Sequence, residues 1–428
     1  MQIYVVAPGD TLYTIARNYN TTVDAIVAAN ELPEPNHLLV GQALVIPITG
    51  RYHIVVRGDS LWSVANRYNI DYLELARINS INPNSTIYPG LRLYIPPRPK
   101  TTAVANAYVE PLGGQASEAL LADTRRAAPT LTYIAPFSYQ AQNDGTLRPV
   151  NLTGITEIAQ NNGNNLMMVV TNIRNGQFDG QLAREILDSA AVRNLLIDNI
   201  IAEANRVGLF SDIHFDFEFI PADFRVQYTN FIRMAVQRLH EASYLVSVAL
   251  APKTSATQSG QWYEAHDYSA LGSLVDFVVI MTYEWGYSGG PPLPVSPINE
   301  VERVLNYALT EMPASKILMG QNLYGYDWTL PYVQGGQFAR AVSPQTALSI
   351  GRRFNVGIFY DNRAQAPYFN YTENGVRHIV WFEDARSIQA KFDLIKRLNL
   401  RGISYWKLGL PFPQNWLLIG DNFDIVKY

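Results

Sequence analysis

The stretch SDIHFDFEFI, residues 211–220, alternates polar and apolar side chains. Its polar residues Asp212, His214, Asp216 and Glu218 are interleaved with an isoleucine and three phenylalanines. This alternation predicts a strand with one charged face and one apolar face. Residues two apart on a strand lie about 6.5–7 Å apart along its axis. Two carboxyl groups so placed interact, and one tends to hold a proton while the other stays charged. A catalytic role for these carboxyl groups is therefore the favoured interpretation.

Eight strand-like runs follow one another after residue 105, and amphipathic segments separate several of them. The runs are NAYVEP, TLTYIAPFSY, NLMMVVTNI, DIHFDFEFI, LVSVALAP, VDFVVIMTY, KILMGQNLYGY and GISYWKLGL. Strands alternating with helices predict an α/β fold, a (β/α)8 TIM barrel over residues 105–428. The long interval 329–380, before the last strand, predicts an insertion.

One face of a barrel strand points into the barrel and the other packs on helices. We expect the apolar residues of the 211–220 strand to face helices; they are Ile213, Phe215, Phe217 and Phe219. His214, Asp216 and Glu218 would then face inward, with Glu218 nearest the C-terminal rim, where active sites of this fold lie. A buried structural carboxylate is costly unless it is paired, which also favours function.

The first hundred residues contain a repeat. YVVAPGDTLYTIARNYN at Tyr4 returns as HIVVRGDSLWSVANRYN at His53, a shift of 53 − 4 = 49. Each copy, 1–48 and 50–97, predicts a strand, two helices and a closing strand. The Pro-rich stretch that follows predicts a semi-rigid linker over 98–104.

Each copy resembles the LysM module, a small βααβ domain, through its GD(T/S)L start and its closing IP. The resemblance implies binding of N-acetylglucosamine-containing glycans such as peptidoglycan or chitin. The candidate glycan contacts are Gly9, Asp10, Thr11, Asn30, Gly58, Asp59, Ser60 and Asn79. The alternative for each is a structural cap or turn.

The barrel resembles glycoside hydrolase family 18. HFDFEF resembles the Asp-x-Asp-x-Glu signature of the fourth strand, MTY at 281–283 matches the Met-x-Tyr of the sixth, and Trp406 matches the tryptophan of the eighth. NAYVEP, PFSYQAQNDGTL and VVIMTYEWGY look most similar to the bacterial spore cortex-lytic branch. Two LysM modules before such a barrel point to spore-germination N-acetylglucosaminidases.

The resemblance implies retaining, substrate-assisted hydrolysis, in which the substrate's own 2-acetamido group is the nucleophile. Glu218 would protonate the glycosidic oxygen and later deprotonate water. Asp216 would orient the acetamido N–H, and Tyr283 would hydrogen-bond the acetamido oxygen. Trp406 would form the floor under the −1 sugar.

His214 stands where the family signature has an aspartate. It either hydrogen-bonds Asp216, pairs with it as a cation, or is merely packed. Glu284 stands where the family often has Asp and is a candidate substrate contact. Further substrate-binding candidates, each with capping or packing as the alternative, are Met281, Asn172, Gln321 and Trp285.

Composition narrows the function further. The chain has no cysteine, which excludes disulfides, thiolate zinc sites and cysteine nucleophiles. A net charge of −4 gives no general attraction to nucleic acid or anionic membrane. No cofactor or metal motif occurs. We expect a monomer whose partner is peptidoglycan, with neither nucleic acid nor membrane as partner.

The start MQIYVVAPGD lacks the features of a secretory signal. We therefore expect a spore protein, in the coat or cortex, made without such a signal. Two alternatives to a cortex hydrolase are a chitinase and a non-catalytic glycan-binding protein. The first strand, the PFSY strand and the missing signal disfavour the chitinase, and the presence of Glu218 disfavours the non-catalytic protein.

Overall fold

The computed structural model describes residues 1–112 and 114–428 of the chain. Eight parallel strands form a closed ring, in which each strand pairs with the next and the eighth pairs with the first. In order they are Thr101–Val109, Tyr133–Pro136, Asn165–Thr171, Phe210–Asp216, Leu245–Leu250, Phe277–Ile280, Ile317–Asn322 and Gly402–Trp406. The predicted TIM barrel is confirmed.

Helices cover the outside of the ring. They are Glu118–Ala127, Ile155–Asn161, Gly180–Asp188, Ala190–Val207, Arg225–Glu241, Tyr268–Leu274, Ile298–Glu311, Ala385–Arg397 and Pro413–Asn422. Their apolar stripes pack on the outward faces of the strands, and together these faces form the largest hydrophobic cluster. Short 3₁₀ turns lie at Ala128–Thr130, Ala222–Phe224 and Ala314–Lys316.

The fourth strand shows the expected alternation as far as it extends. Phe215 and Phe217 pack on Phe231 of the helix Arg225–Glu241, with ring centroids 5.3 and 6.0 Å away. The prediction was wrong for Phe219. The strand ends at Asp216, and the backbone at Phe219 turns to φ +53°, which leaves its side chain 42% exposed. Its ring stacks on Trp262 at 6.4 Å.

The insertion between the seventh and eighth strands is a five-stranded antiparallel sheet with one helix. Its strands are Gly325–Leu330, Arg340–Val342, Phe359–Asp361, Ala366–Glu373 and Val376–Trp381, and its helix is Pro344–Arg353. It therefore begins a few residues earlier than predicted. Smaller strands are Tyr139–Ala141, Leu147–Arg148, Ile173–Arg174, Gln177–Phe178 and Phe423–Ile425.

Both N-terminal modules have the predicted βααβ order. The first contains Gln2–Val5, Leu12–Tyr19, Val23–Asn30 and Ala43–Ile46; the second contains Arg51–Ile54, Leu61–Tyr68, Tyr72–Ile78 and Arg92–Ile95. Thr11 and Ser60 form capping boxes at the first helix of each module.

The predicted linker is shorter than 98–104. The first barrel strand already begins at Thr101, because residues 101–103 pair with the last strand, Phe423–Ile425. The first module is also docked on the insertion. Leu39 is 2% exposed and belongs to one hydrophobic cluster with Ile358 and Phe369, and the Ile358 N–H donates to the Val40 carbonyl at 2.8 Å. This module is therefore packed against the barrel domain.

The two copies of the repeat differ at this contact. Gly41 and Gly90 are equivalent, with φ of +85° and +92°. A Cβ on Gly41 would lie 1.9 Å from the Ile358 carbonyl oxygen, whereas a Cβ on Gly90 would meet nothing within 4 Å.

Within residues 1–112 and 114–428, no helix combines the length and apolar character that a bilayer crossing requires.

Candidate active site

A cavity of about 370 Å³ opens at the C-terminal rim of the barrel. It combines three carboxyl groups with an aromatic wall. Its lining residues are Tyr108, Phe137, Phe178, Asp216, Glu218, Trp262, Met281, Tyr283, Glu284, Tyr324, Tyr326, Ala341, Trp406, Lys407 and Leu410. Aromatic faces beside a few polar groups suit the recognition of sugar rings.

Asp216 is the last residue of the fourth strand, and Glu218 follows just beyond the strand end. Both carboxyl groups line the cavity, as the alternation predicts. Asn172, directly after the third strand, holds the Glu218 backbone: its Oδ1 accepts from the Glu218 N–H and its Nδ2 donates to the Glu218 carbonyl, each at 2.9 Å. The position of Glu218 therefore depends on two adjacent strands.

Burial governs the protonation of the two carboxyl groups. It raises the pKa of Asp216 to about 7. It raises the pKa of Glu218 well above its ordinary value, and the nearby Asp216 charge adds to the increase. The Trp262 indole N–H donates to Glu218 Oε2, which favours the charged form and opposes the increase. The raised pKa favours the protonated form of Glu218, which is the form that can donate a proton.

Trp406 closes one side of the cavity at the end of the eighth strand. Its ring meets Phe137 edge-on at 4.8 Å and Tyr108 edge-on at 5.4 Å. These contacts fix the plane of the indole and provide a flat apolar surface beside the carboxyl pair.

Tyr283 and Glu284 follow the sixth strand on another wall. Burial raises the pKa of Tyr283 well above 10, so its phenol stays a hydrogen-bond donor. Glu284 has φ +68°, and its carboxylate accepts hydrogen bonds from the hydroxyls of Tyr324 and Tyr326. Burial also raises the pKa of Glu284, and the two tyrosines partly offset the effect.

Comparison with known proteins identifies two domain families in this chain. The model of glycosyl hydrolases family 18 matches residues 124–410, and the LysM domain model matches residues 4–47 and 53–96. The chain belongs to glycosyl hydrolases family 18.

Known proteins match all or most of this chain. It is 56% identical to the cortical fragment-lytic enzyme of Bacillus subtilis (strain 168), over 100% of this chain and 99% of that protein. The crystal structure of the spore cortex-lytic enzyme SleL of Bacillus megaterium QM B1551 has a TM-score of 0.92 and 48% identity, and covers 100% of this chain and 99% of that chain. A class V chitinase of Pseudomonas fluorescens Pf-5 has a TM-score of 0.66 and 25% identity, over 74% and 99% of the two chains. The predicted family and LysM pair are confirmed, and the chain is a glycoside hydrolase.

His214 does not have the partner expected from its place in the family signature. It is buried in the barrel, where Nε2 lies 2.9 Å from the Tyr108 hydroxyl and Nδ1 lies 2.8 Å from Ser247 Oγ. Burial lowers its pKa to about 3, so the imidazole is neutral. The predictions of a hydrogen bond to Asp216 and of a cationic pair were wrong, because Tyr108 of the first strand and Ser247 of the fifth strand take both ring nitrogens across the barrel interior. His214 is also absent from the cavity lining.

The other substrate-binding candidates divide into two groups. Met281, Glu284 and Trp406 line the cavity, and their contact with substrate stays a prediction. Asn172, Gln321 and Trp285 do not line it. The Gln321 amide is turned to the carbonyl of Asn322 at 2.8 Å, and Trp285 lies in an adjoining polar cavity of about 480 Å³.

Several lining residues were not predicted, among them Trp262, Tyr326 and Lys407. Trp262 lies in the irregular segment after the fifth strand, where no periodicity assigns a direction to a side chain. Its position after a barrel strand was the available signal, because the loops on that side form the active sites of this fold.

The LysM candidates likewise divide by accessibility. Asn30 is 1% exposed and bonds the backbone of Val45 through both ends of its amide, and Asn79 bonds Tyr94 in the same way. Asp10 and Asp59 accept from backbone N–H groups in their own turns. These hydrogen bonds give all four residues a structural role, and their contact with glycan stays a prediction. The exposed candidates are Gly9, Thr11, Gly58 and Ser60.

Proposed function

We propose that the chain hydrolyses the glycan of spore-cortex peptidoglycan on the reducing side of N-acetylglucosamine, with retention of configuration. The observation that carries this proposal is a cavity lined by Asp216 and Glu218, both with raised pKa values, together with Tyr283 and Trp406. The proposal also rests on the relatives, whose names describe enzymes that lyse spore cortex or its fragments.

The reaction begins with the N-acetylglucosamine ring above the Trp406 indole. The acetamido carbonyl oxygen of this sugar attacks its own C1 while the C1–O bond to the next sugar breaks. The departing oxygen takes the proton of Glu218. Asp216 accepts the acetamido N–H and stabilises the oxazolinium cation, while the Tyr283 hydroxyl donates to the acetamido oxygen before it attacks.

Water completes the reaction on the same face that the leaving group has vacated. Glu218, now a carboxylate, takes a proton from water. At the same time the water oxygen bonds to C1, and the oxazolinium ring opens. Two inversions at C1 give net retention. Because the nucleophile belongs to the substrate, the pair of protein carboxyl groups does not form a glycosyl ester.

In this proposal the second LysM module is the one that holds the polymer. The first module has part of its surface against the insertion, through Leu39 and Gly41, while the equivalent region of the second is exposed. Attachment through one module keeps the cavity close to further glycan and raises the effective substrate concentration. Such attachment fits a site of action at the spore cortex.

Digestion of purified spore-cortex peptidoglycan tests the proposal. Both intact cortex and fragments pre-cleaved by a muramidase are incubated with the chain, and the products are analysed by mass spectrometry. New reducing ends at N-acetylglucosamine support the proposal, whereas new reducing ends at muramic acid beyond those already present in the substrate, or cleavage of chitin oligomers alone, refute it. Glu218→Gln is the inactive control, and Glu118→Gln, an exposed substitution on an outer helix, is the matched active control.

A further inference from the structure

Lys407 stands apart among the residues around the cavity. Three acidic residues line this space, yet Lys407 is the one basic residue that the described part of the chain places in the lining. Its ammonium lies 5.7 Å from the centroid of the Trp406 ring. A polymer of N-acetylglucosamine has no charge that would require a cation so close to the sugar floor.

The geometry keeps this cation at the wall of the cavity. Lys407 directly follows the eighth strand, and Glu110 directly follows the first, its neighbour in the ring. The Lys407 ammonium donates to Glu110 Oε2, and the side chains are 24% and 23% exposed. A lysine ammonium has three N–H donors. One hydrogen bond therefore leaves donors available on a partly exposed group.

We propose that Lys407 binds a carboxylate on the muramic acid residue next to the N-acetylglucosamine in the cavity. Muramic acid carries a lactyl ether whose carboxyl group is either free or joined to a peptide, so both forms of the sugar bring an anion that chitin lacks. Lys407 is then a specificity residue that distinguishes an anionic peptidoglycan strand from neutral chitin. This inference rests on the proposed function.

The acidic character of the cavity makes such a contact effective. Asp216 and Glu284 would repel an incoming carboxylate when they are ionised, and the raised pKa values of both reduce that charge. A partly buried ammonium then provides the attractive group, and its hydrogen bond to an anion is stronger than one between neutral groups.

The competing explanation is structural: the pair of Lys407 and Glu110 would only join the first and eighth strands. The two explanations differ in what Glu110→Gln does. A purely structural ion pair is lost equally when either partner is neutralised. Recognition by Lys407 survives the loss of Glu110, because the ammonium remains in place.

The experiment compares three soluble tetrasaccharides of alternating N-acetylglucosamine and N-acetylmuramic acid. Their lactyl groups are free acids, N-methylamides, or amides of alanine with a free carboxylate. The readout is the ratio of kcat/KM for each acid to kcat/KM for the neutral amide. Chitotetraose serves as a neutral substrate without lactyl groups. The variants are Lys407→Met, Lys407→Arg and Glu110→Gln. Lys100→Met, on the side of the barrel where the first strand begins, removes the same charge far from the cavity.

We expect wild type to prefer an acid over the neutral amide by about tenfold, as one charge-assisted hydrogen bond would give. Lys407→Met should bring this ratio close to one, while Lys407→Arg, Glu110→Gln and Lys100→Met preserve it. The acid that shows the preference identifies the lactyl or the peptide carboxylate as the group bound. A ratio unchanged in Lys407→Met, or lowered equally by Glu110→Gln, overturns the inference.

Failure of the proposed function gives a different result. If wild type cleaves chitotetraose but none of the muramic substrates, the proposed function fails, and the inference fails with it. If wild type cleaves the muramic substrates with no preference for the acids, only the role of Lys407 is refuted.

Discussion

Asn172 hydrogen-bonds the backbone of Glu218 through both ends of its side-chain amide. Its Oδ1 accepts from the Glu218 N–H and its Nδ2 donates to the Glu218 carbonyl, at 2.9 Å each. The same Nδ2 also donates to the Asp179 carbonyl at 2.9 Å. Asn172 is fully buried, so water does not compete for these bonds. One amide therefore ties Glu218 to the end of the adjacent strand.

Asn172→Ala is predicted to impair catalysis more than substrate binding. The substitution leaves the buried N–H and carbonyl of Glu218 unpaired, which should lower the free energy of unfolding by about 1–3 kcal/mol. A shifted Glu218 should lower kcat by roughly 10- to 100-fold with a smaller change in KM. Steady-state kinetics and urea unfolding measure the two effects. Asn194→Ala, at an exposed helix position with one local hydrogen bond, is the control. An unchanged kcat in a less stable Asn172→Ala protein would limit Asn172 to a folding role.

The raised pKa of Asp216 predicts a specific dependence of stability on pH. This carboxyl group titrates near pH 4 when unfolded and at about 7 in the folded chain. The folded state therefore binds more protons between these values, and the free energy of unfolding falls as pH rises from about 4 to 7. The stabilising contribution is complete below pH 4 and is lost as pH rises through 7.

Asp216→Asn should reduce this slope by about 1 kcal/mol per pH unit, because an amide does not titrate. Urea unfolding at pH 4, 5.5 and 7 measures it, and Asp24→Asn at an exposed position of the first module should leave it unchanged. Wild-type activity should also decline above about pH 7, as the carboxyl pair loses the proton that the reaction needs. Equal slopes in wild type and Asp216→Asn would contradict this assignment.

His214 is predicted to remain neutral at every pH at which the enzyme is active. Burial lowers its pKa to about 3, and the Ser247 hydroxyl donates to Asp212 at 2.6 Å, so it accepts from His214 Nδ1–H. The Tyr108 hydroxyl then donates to Nε2. Histidine NMR spectra between pH 5 and 8 should show no titration of the His214 ring, which His214→Asn identifies. A titration step for His214 in this range would restore the cationic interpretation.

The barrel could be predicted from the sequence because the patterns that indicate its strands and helices lie within short segments of the chain. Alternation placed Asp216 and Glu218 on one face, and that face does point into the barrel. Alternation does not state where a strand ends, and Phe219 was misplaced for that reason. The partners of His214 depend on which residues of the first and fifth strands stand at the same height in the barrel. That depends on strand register, which a single strand does not encode.

Contacts between segments that are distant in the chain could likewise not be predicted from the sequence. Asn172 and Glu218 lie 46 residues apart, and nothing near either one indicates the hydrogen bonds between them. Trp262 reaches Glu218 from an irregular segment. The repeat also hid a difference between the two LysM modules. Their sequences look alike after a shift of 49 residues, but only the first module packs this segment, Leu39–Gly41, against the insertion.

That difference gives a matched test of docking by the first LysM module. Gly41→Ala and Gly90→Ala impose the same kind of strain, because both glycines have positive φ. Only the Cβ at position 41 would collide with the Ile358 carbonyl, at 1.9 Å, and force the module away from the insertion. We expect Gly41→Ala to lower the melting temperature by several degrees more than Gly90→Ala, and to make the peptide bond after Leu39 accessible to limited proteolysis. Cleavage of soluble oligosaccharides should be unaffected by Gly90→Ala. Equal melting temperatures for the two variants would mean that the module stays mobile on the catalytic domain in solution.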